Sequence, residues 1–236
     1  MPYTKSLLLY FKHFFALIYP ETCCACGQLL LTGEAFLCDD CRVSLPKTGF
    51  ETQEENRLTE IFWGKFPLET GTSLYYFQKG GNVQRLIHQF KYRGNVPLGH
   101  FLGEQLGKTM KDSTMYAAID CILPVPLHPS KERARGFNQS EIIGRGIAHT
   151  LNIPIYTDLL IRKQKTSSQT KKGRFKRWEN VSAVFETPLP EALQHKGILL
   201  VDDVVTTGST LEACAGKLLE NEGVRVWIAT LGITAM

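Results

Sequence analysis

Short apolar runs alternate with helically spaced ones through the second half of the chain. Residues 119–125 are largely apolar and end in Pro-Val-Pro, the pattern of a buried parallel strand. Residues 138–150 (NQSEIIGRGIAHT) place Ile142, Ile143 and Ile147 on one helical face, and Ile153-Pro154-Ile155 reads as a short strand. A strand at 197–201, a helix at 208–222 and a last strand at 224–231 follow. Upstream, 72–78 (TSLYYFQ) reads as a strand, after which Gly80-Gly81 turns the chain into a helix carrying Val83, Leu86, Ile87 and Phe90. Lys91, Tyr92 and Arg93 close that helix ahead of Gly94, as basic residues commonly do at a negative dipole end. A further helix over 98–111 follows Pro97. This alternation predicts an α/β fold: a parallel sheet with helices on both faces.

The first 70 residues divide differently. Residues 1–20 read as an amphipathic helix ending at Pro20, and 21–46 as a compact cysteine unit ending at Pro46. The polar, irregular stretch 47–70 reads as a connector packed loosely on the main body, with Ile61, Phe62, Trp63 and Phe66 to bury. The apolar stretch 6–20 is interrupted by Lys12 and His13 and lacks a small-x-small cleavage site, so it does not read as a secretory signal. Nor does it reach the about 20 apolar residues of a membrane span. A cytoplasmic protein with no membrane span is expected.

Composition adds little: 236 residues, 43% hydrophobic and 21% charged, describe an ordinary globular chain. The formal net charge of +4 is too small to argue for nucleic acid by itself. The charge is unevenly spread, since 162–177 is dense in Lys and Arg and has no acid. The seven cysteines are more telling. Cys23-x-x-Cys26 and Cys38-x-x-Cys41 stand eleven residues apart, while Cys121 and Cys214 are isolated among apolar residues. Two such pairs supply four thiolates for a closed tetrahedral site, with zinc favoured and rubredoxin-type iron open. Cys24 is a further thiol within the cluster.

The densest chemistry lies in GILLVDDVVTTGSTLEACAGKLL (197–219). Four apolar strand residues lead to Asp202 and Asp203, and the turn Thr206-Thr207-Gly208-Ser209-Thr210 opens a helix. Ligands of open α/β sheets bind beyond the carboxyl ends of the strands, where this turn must lie. A helix start offers unpaired N–H groups and a positive dipole end to a phosphate, with Gly208 permitting close approach and the hydroxyls adding donors. The two carboxylates would repel phosphate but suit sugar hydroxyls, which donate protons. A plain alternative is a solvent loop with Thr207 or Ser209 as helix cap.

This segment resembles the diphosphoribose-binding motif of type I phosphoribosyltransferases. The resemblance implies that Asp202 and Asp203 hold the ribose 2- and 3-hydroxyls of 5-phosphoribosyl-1-pyrophosphate, bound with Mg²⁺, and that residues 206–210 hold its 5-phosphate. Taken with the cysteine unit, KYRG at 91–94 and PVPLHPSKERARGFNQSE at 124–141, the chain resembles the ComF family. A type I phosphoribosyltransferase-like parallel sheet flanked by helices, preceded by a small N-terminal four-cysteine zinc ribbon, is therefore expected. The implied division is an N-terminal helix (1–20), the ribbon (21–46), a connector and hood (47–118) and a phosphoribosyltransferase-like domain (119–236). Val125, Pro126, Leu127 and His128, with Arg133 and Arg135 of the RGFNQ stretch, would then face the pyrophosphate, since guanidinium groups pair with phosphate oxygens. Gln169, Arg177 and Asn180 match a family-like pattern in a basic loop over 163–180. That loop reads equally as a catalytic lid, a solvated surface or a single-stranded DNA contact. Two functions follow from the resemblance: a phosphoribosyltransferase with unnamed acceptor, or a non-catalytic factor that senses the phosphoribosyl ligand or handles single-stranded DNA with DNA-uptake proteins.

Overall fold

A computed structural model describes residues 20–162 and 184–234 of the protein. The helix expected over 1–20 therefore lies, Pro20 apart, outside the described residues, as does the basic loop with Gln169, Arg177 and Asn180. A four-stranded, fully parallel sheet organises the rest: β1 (Gly71–Phe77), β2 (Cys121–Pro124), β5 (Gly197–Val205) and β6 (Arg225–Thr234), in the order β1-β6-β5-β2. A parallel bridge between Ile122 and Ile155 extends it beside β2. Two short antiparallel strands, β3 (Ile161–Arg162) and β4 (Phe185–Glu186), form a separate ribbon.

The central strands are apolar on both faces, as a sheet covered on both sides requires. Leu199, Val201, Trp227 and Ala229 face one core, and Ile198, Leu200, Val226 and Ile228 the other. The first core is closed by α3 (Asn82–Tyr92), α4 (Val96–Lys111) and α6 (Gln139–Leu151), the second by α7 (Ser209–Leu218). Helices α4 and α6 approach closely through glycine. A Cβ on Gly103 would collide with the Ile143 carbonyl, and one on Gly146 with the His100 carbonyl. Pro97 sits in the first turn of α4 rather than ahead of it, with Asn95 capping the helix by accepting from the Leu98 N–H at 3.1 Å.

One expectation for the first half is corrected, and the structure adds to another. Strand β1 pairs along β6, and α4 packs on α6, so the region expected as connector and hood (47–118) supplies an edge strand and helices to the main body. The stretch 47–70 is not loosely packed. Phe50, Leu58 and Phe62 are buried in the second core, and the short helix α2 (Arg57–Glu60) starts with a capping box between Asn56 and Thr59. Asn56 also donates to the Gly71 carbonyl at 2.9 Å, stitching the segment to β1. Polar composition concealed this, because its few apolar side chains go inward. Trp63 is the exception, with 61% of its surface exposed.

The cysteine unit contains bridges Thr22–Leu29 and Ala35–Leu37, then α1 (Asp39–Ser44) directly after Cys38. It shares the first core, with Leu37 and Leu45 buried in the cluster that holds Leu74 and Leu98. Arg85 of α3 donates to the carbonyls of Ala25 and Cys26 at 3.1 and 3.2 Å. No helix among the described residues is long and apolar enough to cross a membrane.

Candidate functional site

Strand β5 runs past its apolar portion to Val205 and delivers Asp202 and Asp203, both half-buried, to the carboxyl end of the sheet. The turn 206–210 then opens α7. Gly208 is its N-cap, at φ +75°. Thr207 and Ser209 are therefore not the N-cap residue, although the Thr207 hydroxyl accepts a long hydrogen bond from the Ser209 N–H at 3.5 Å. Thr206, Thr207, Ser209 and Thr210 are exposed, with the Thr207 and Ser209 hydroxyls 3.1 Å apart. They surround a cup of about 50 Å³, room for a few water molecules or a small anion. Gly208 also has a packing duty. A Cβ there would lie 2.7 Å from the Phe62 ring and 2.8 Å from Ile61, so the glycine accommodates the segment beneath the turn as well as a left-handed backbone. Lys65 and Glu212 pair at 3.2 Å and further fasten that segment to α7.

The carboxylates are held by partners from two helices. Ser140, in the first turn of α6, donates to Asp202 Oδ1 at 3.0 Å, and the Asp203 N–H donates to the same oxygen at 2.8 Å. Lys91, in the last turn of α3, pairs with Asp203 Oδ2 at 2.7 Å. Burial, and then the neighbouring Asp203 charge, push Asp202 up to about 7 against these stabilising contacts. Sequence reasoning read Lys91 as a dipole partner, with a ligand role suggested only by the family resemblance, and did not single out Ser140. Neither partner has a local signal, because each is brought to the aspartates only by the tertiary fold.

The expected pyrophosphate residues are distributed more variously. The segment 129–135 forms an unanticipated helix, α5 (Pro129–Arg135), which stops at Gly136 with φ +82°. His128 caps it, its Nδ1 lying 3.2 Å from the Ser130 N–H and 2.7 Å from the Ser130 hydroxyl. Val125 is tied into the body. Its side chain is buried in the second core, its N–H donates to the Val201 carbonyl, and its carbonyl accepts from Asn138 at 3.1 Å. Pro126 and Leu127 are half-buried and Arg133 is exposed. Arg135 turns back to the body, donating to Gln139 Oε1 at 2.7 Å with its guanidinium 5.2 Å from the Tyr92 ring centre. Gln139 is itself buried, and its Nε2 has no hydrogen-bond partner among the described residues.

In the N-terminal unit the sulfurs of Cys23, Cys26, Cys38 and Cys41 all lie within 4.8 Å of one another, and none is disulfide-bonded. Cys26 and Cys38 are 3.7 Å apart. Four sulfurs at about 2.3 Å around a tetrahedral ion would be roughly 3.8 Å apart, so this donor set fits a structural metal. Burial raises the Cys23 thiol, but backbone N–H groups of Cys26, Cys38 and Ala25 outweigh it and bring it down to about 6. Cys24 is outside the cluster. Burial pushes its thiol up, and the Asn95 amide nitrogen lies 3.9 Å from its sulfur.

Residues 138–232 match the phosphoribosyl transferase domain family. The chain is 29% identical over 149 residues to Competence protein F of Haemophilus influenzae, covering 60% of this chain and 65% of that protein. It is 33% identical over 147 residues to DNA utilization protein YhgH of Salmonella typhi, covering 60% and 64%. It is 25% identical over 229 residues to Competence protein ComFC of Streptococcus pneumoniae, covering 86% and 95%. The match therefore spans less than two thirds of the first two relatives and nearly all of the third. Sheet, flanking helices and matched domain define a phosphoribosyltransferase-like protein. With its four-cysteine unit and these relatives, the chain is similar to the ComF family.

Proposed function

We propose that the protein binds 5-phosphoribosyl-1-pyrophosphate with Mg²⁺ at the β5–α7 turn and serves DNA uptake, a reading supported by relatives named for competence and for DNA utilization. One observation carries the reading: two adjacent carboxylates at the end of β5 stand beside a helix start whose N-cap is a glycine without a side chain. The 5-phosphate takes the N–H groups and hydroxyls of Thr206–Thr210, and Asp202 and Asp203 accept from the ribose hydroxyls. Pro126, Leu127, His128, Arg133 and Arg135 are the pyrophosphate side. The carboxylates already serve Ser140, the Asp203 N–H and Lys91, so the chain offers Mg²⁺ no dedicated cage. The ion comes with the ligand's phosphate oxygens, as this cation commonly does, and neutralises their charge. In the transfer reading the bond from C1 to pyrophosphate breaks, an acceptor bonds to C1, and the acceptor's proton passes to solvent. Zinc in the Cys23, Cys26, Cys38 and Cys41 site is structural and holds the N-terminal unit together.

Calorimetry of the intact protein with the phosphoribosyl ligand, with and without Mg²⁺, tests the binding. Magnesium-dependent binding lost in the Asp202→Asn/Asp203→Asn variant is expected. A folded, metal-loaded protein that binds none of it refutes the reading. Release of pyrophosphate in the presence of an acceptor distinguishes transfer from binding alone.

A further inference from the structure

The aspartate pair has an arrangement of oxygens that its sequence does not convey. Asp202 commits Oδ1 to both the Ser140 hydroxyl and the Asp203 N–H, and Asp203 commits Oδ2 to Lys91. Among the described residues nothing hydrogen-bonds to Asp202 Oδ2 or Asp203 Oδ1. Each carboxylate thus keeps one oxygen for an outside donor, and a 1,2-diol has two hydroxyls to donate.

Lys91 is well placed to maintain that arrangement. It follows Phe90, a fully buried anchor of α3 whose ring lies 5.6 Å from that of Phe137. Val83, Leu86 and Ile87 bury the rest of the helix face, so the base of the lysine is fixed by packing. The side chains of Lys91 and Asp203 keep only 19% and 15% of their surface exposed, which separates this contact from a solvated surface pair.

We propose that Lys91 is a positioning residue of the diol site: its ammonium fixes the rotamer of Asp203 and offsets the charge of the pair, so that both free oxygens face the ligand. The proposal rests on reading the pair as a diol clamp. The groups bearing on Asp202 are Asp203 beside it on β5, Lys91 from α3 and, behind it, the Cys214 thiol of α7, which in turn feels Arg162 of β3. Lys91 is the cation acting directly on the pair. Without it the two carboxylates face each other uncompensated, and protonating one becomes easier. A proton on Asp202 Oδ2 would turn an acceptor into a donor at the point where a hydroxyl must donate.

The test uses the full, metal-loaded chain with Lys91→Met and the charge-preserving Lys91→Arg. Two quantities are read: calorimetric affinity for Mg²⁺–phosphoribosyl pyrophosphate at pH 7, and the ligand-free titration midpoint of Asp202 from carboxyl carbon NMR. For Lys91→Met, affinity should fall about tenfold or more and the midpoint should rise by about one pH unit, the equivalent of tenfold in proton affinity. Lys91→Arg should stay near wild type in both. A folded Lys91→Met protein with unchanged affinity and unchanged midpoint overturns the proposal. If wild type binds no phosphoribosyl pyrophosphate, the functional reading fails and the midpoint alone decides whether Lys91 governs the pair.

Discussion

The aspartate that serves the proposed ligand should weaken the protein in its absence, and Asp202→Asn measures by how much. Asp202 is pushed up to about 7 in the folded protein, against an ordinary value of 3.8 in an open chain, because burial and the Asp203 charge disfavour its ionised form. Folding therefore favours the protonated acid. The contribution is fully present below about pH 4 and is lost as pH rises to about 7, because a proton held by the native state has already left the unfolded one. From pH 5 to 7 that is two pH units at about 1.4 kcal/mol each, or about 2–3 kcal/mol. Asparagine carries no charge, and its amide oxygen can accept from both Ser140 and the Asp203 N–H. Stability should therefore favour Asp202→Asn over wild type by about 2–3 kcal/mol more at pH 8 than at pH 5. For a chain of this length that is a relative shift of roughly 5–10 °C in Tm. Urea unfolding of the metal-loaded, ligand-free proteins at the two pH values gives the difference. An offset equal at both pH values, or one that shrinks towards pH 8, refutes the argument that a buried, repelled carboxylate stands at this position.

Two further perturbations address the turn and the cysteine unit. Gly208→Ala combines a left-handed backbone cost of about 1–2 kcal/mol with crowding against Phe62 and Ile61 worth about 1–3 kcal/mol. Urea unfolding should show a total loss of about 2–5 kcal/mol, and one below about 1 kcal/mol would mean that the segment at Phe62 yields freely. Metal analysis should find one ion per chain, absent from Cys38→Ser and retained by Cys24→Ser. Chelation should lower stability by about 3 kcal/mol or more, the contribution of a ligand held at a hundred times its dissociation constant. A metal-free wild type with unchanged thermal unfolding would contradict a structural role for the cluster.

Local signals were enough to place the aspartates, the turn at 206–210 and the four thiolates. Each of these sites is written in one short window: two carboxylates after an apolar run, hydroxyls around Gly208, and paired cysteines at ligand spacing. The parallel sheet was legible for a similar reason, since strands buried on both faces appear as apolar runs between helical periods. The edge strand β1 was visible as a strand, but its partner was not. Its pairing with β6 joins residues 71–77 to 228–234, and no local pattern encodes such a separation. The stretch 47–70 was misjudged because average polarity hides Phe50, Leu58 and Phe62, whose burial depends on the sheet and α7 around them. Helix α5 was missed because PSKERAR lacks apolar periodicity, and none of its residues is buried.

What the sequence could not supply at the site is the second rank of contacts, which sets how the aspartates behave. Asp202 and Asp203 are neighbours in the chain, yet Ser140 lies 62 residues upstream of the first and Lys91 still farther from the second. Two separate helices thus each take one carboxylate oxygen. A pair of acids with all four oxygens in water would repel ligand phosphate without presenting any fixed edge to a sugar. Held from opposite sides, the pair offers two oriented acceptors, at the cost of the raised Asp202 proton affinity that folding must tolerate. The elements that impose this order, α3 and α6, are also those sealing the core shared with the cysteine unit, and Arg85 of α3 reaches the Ala25 and Cys26 carbonyls. The order of the aspartate pair is therefore built into the packing of the whole first core, which explains how a two-residue motif can depend on segments far from it in the chain.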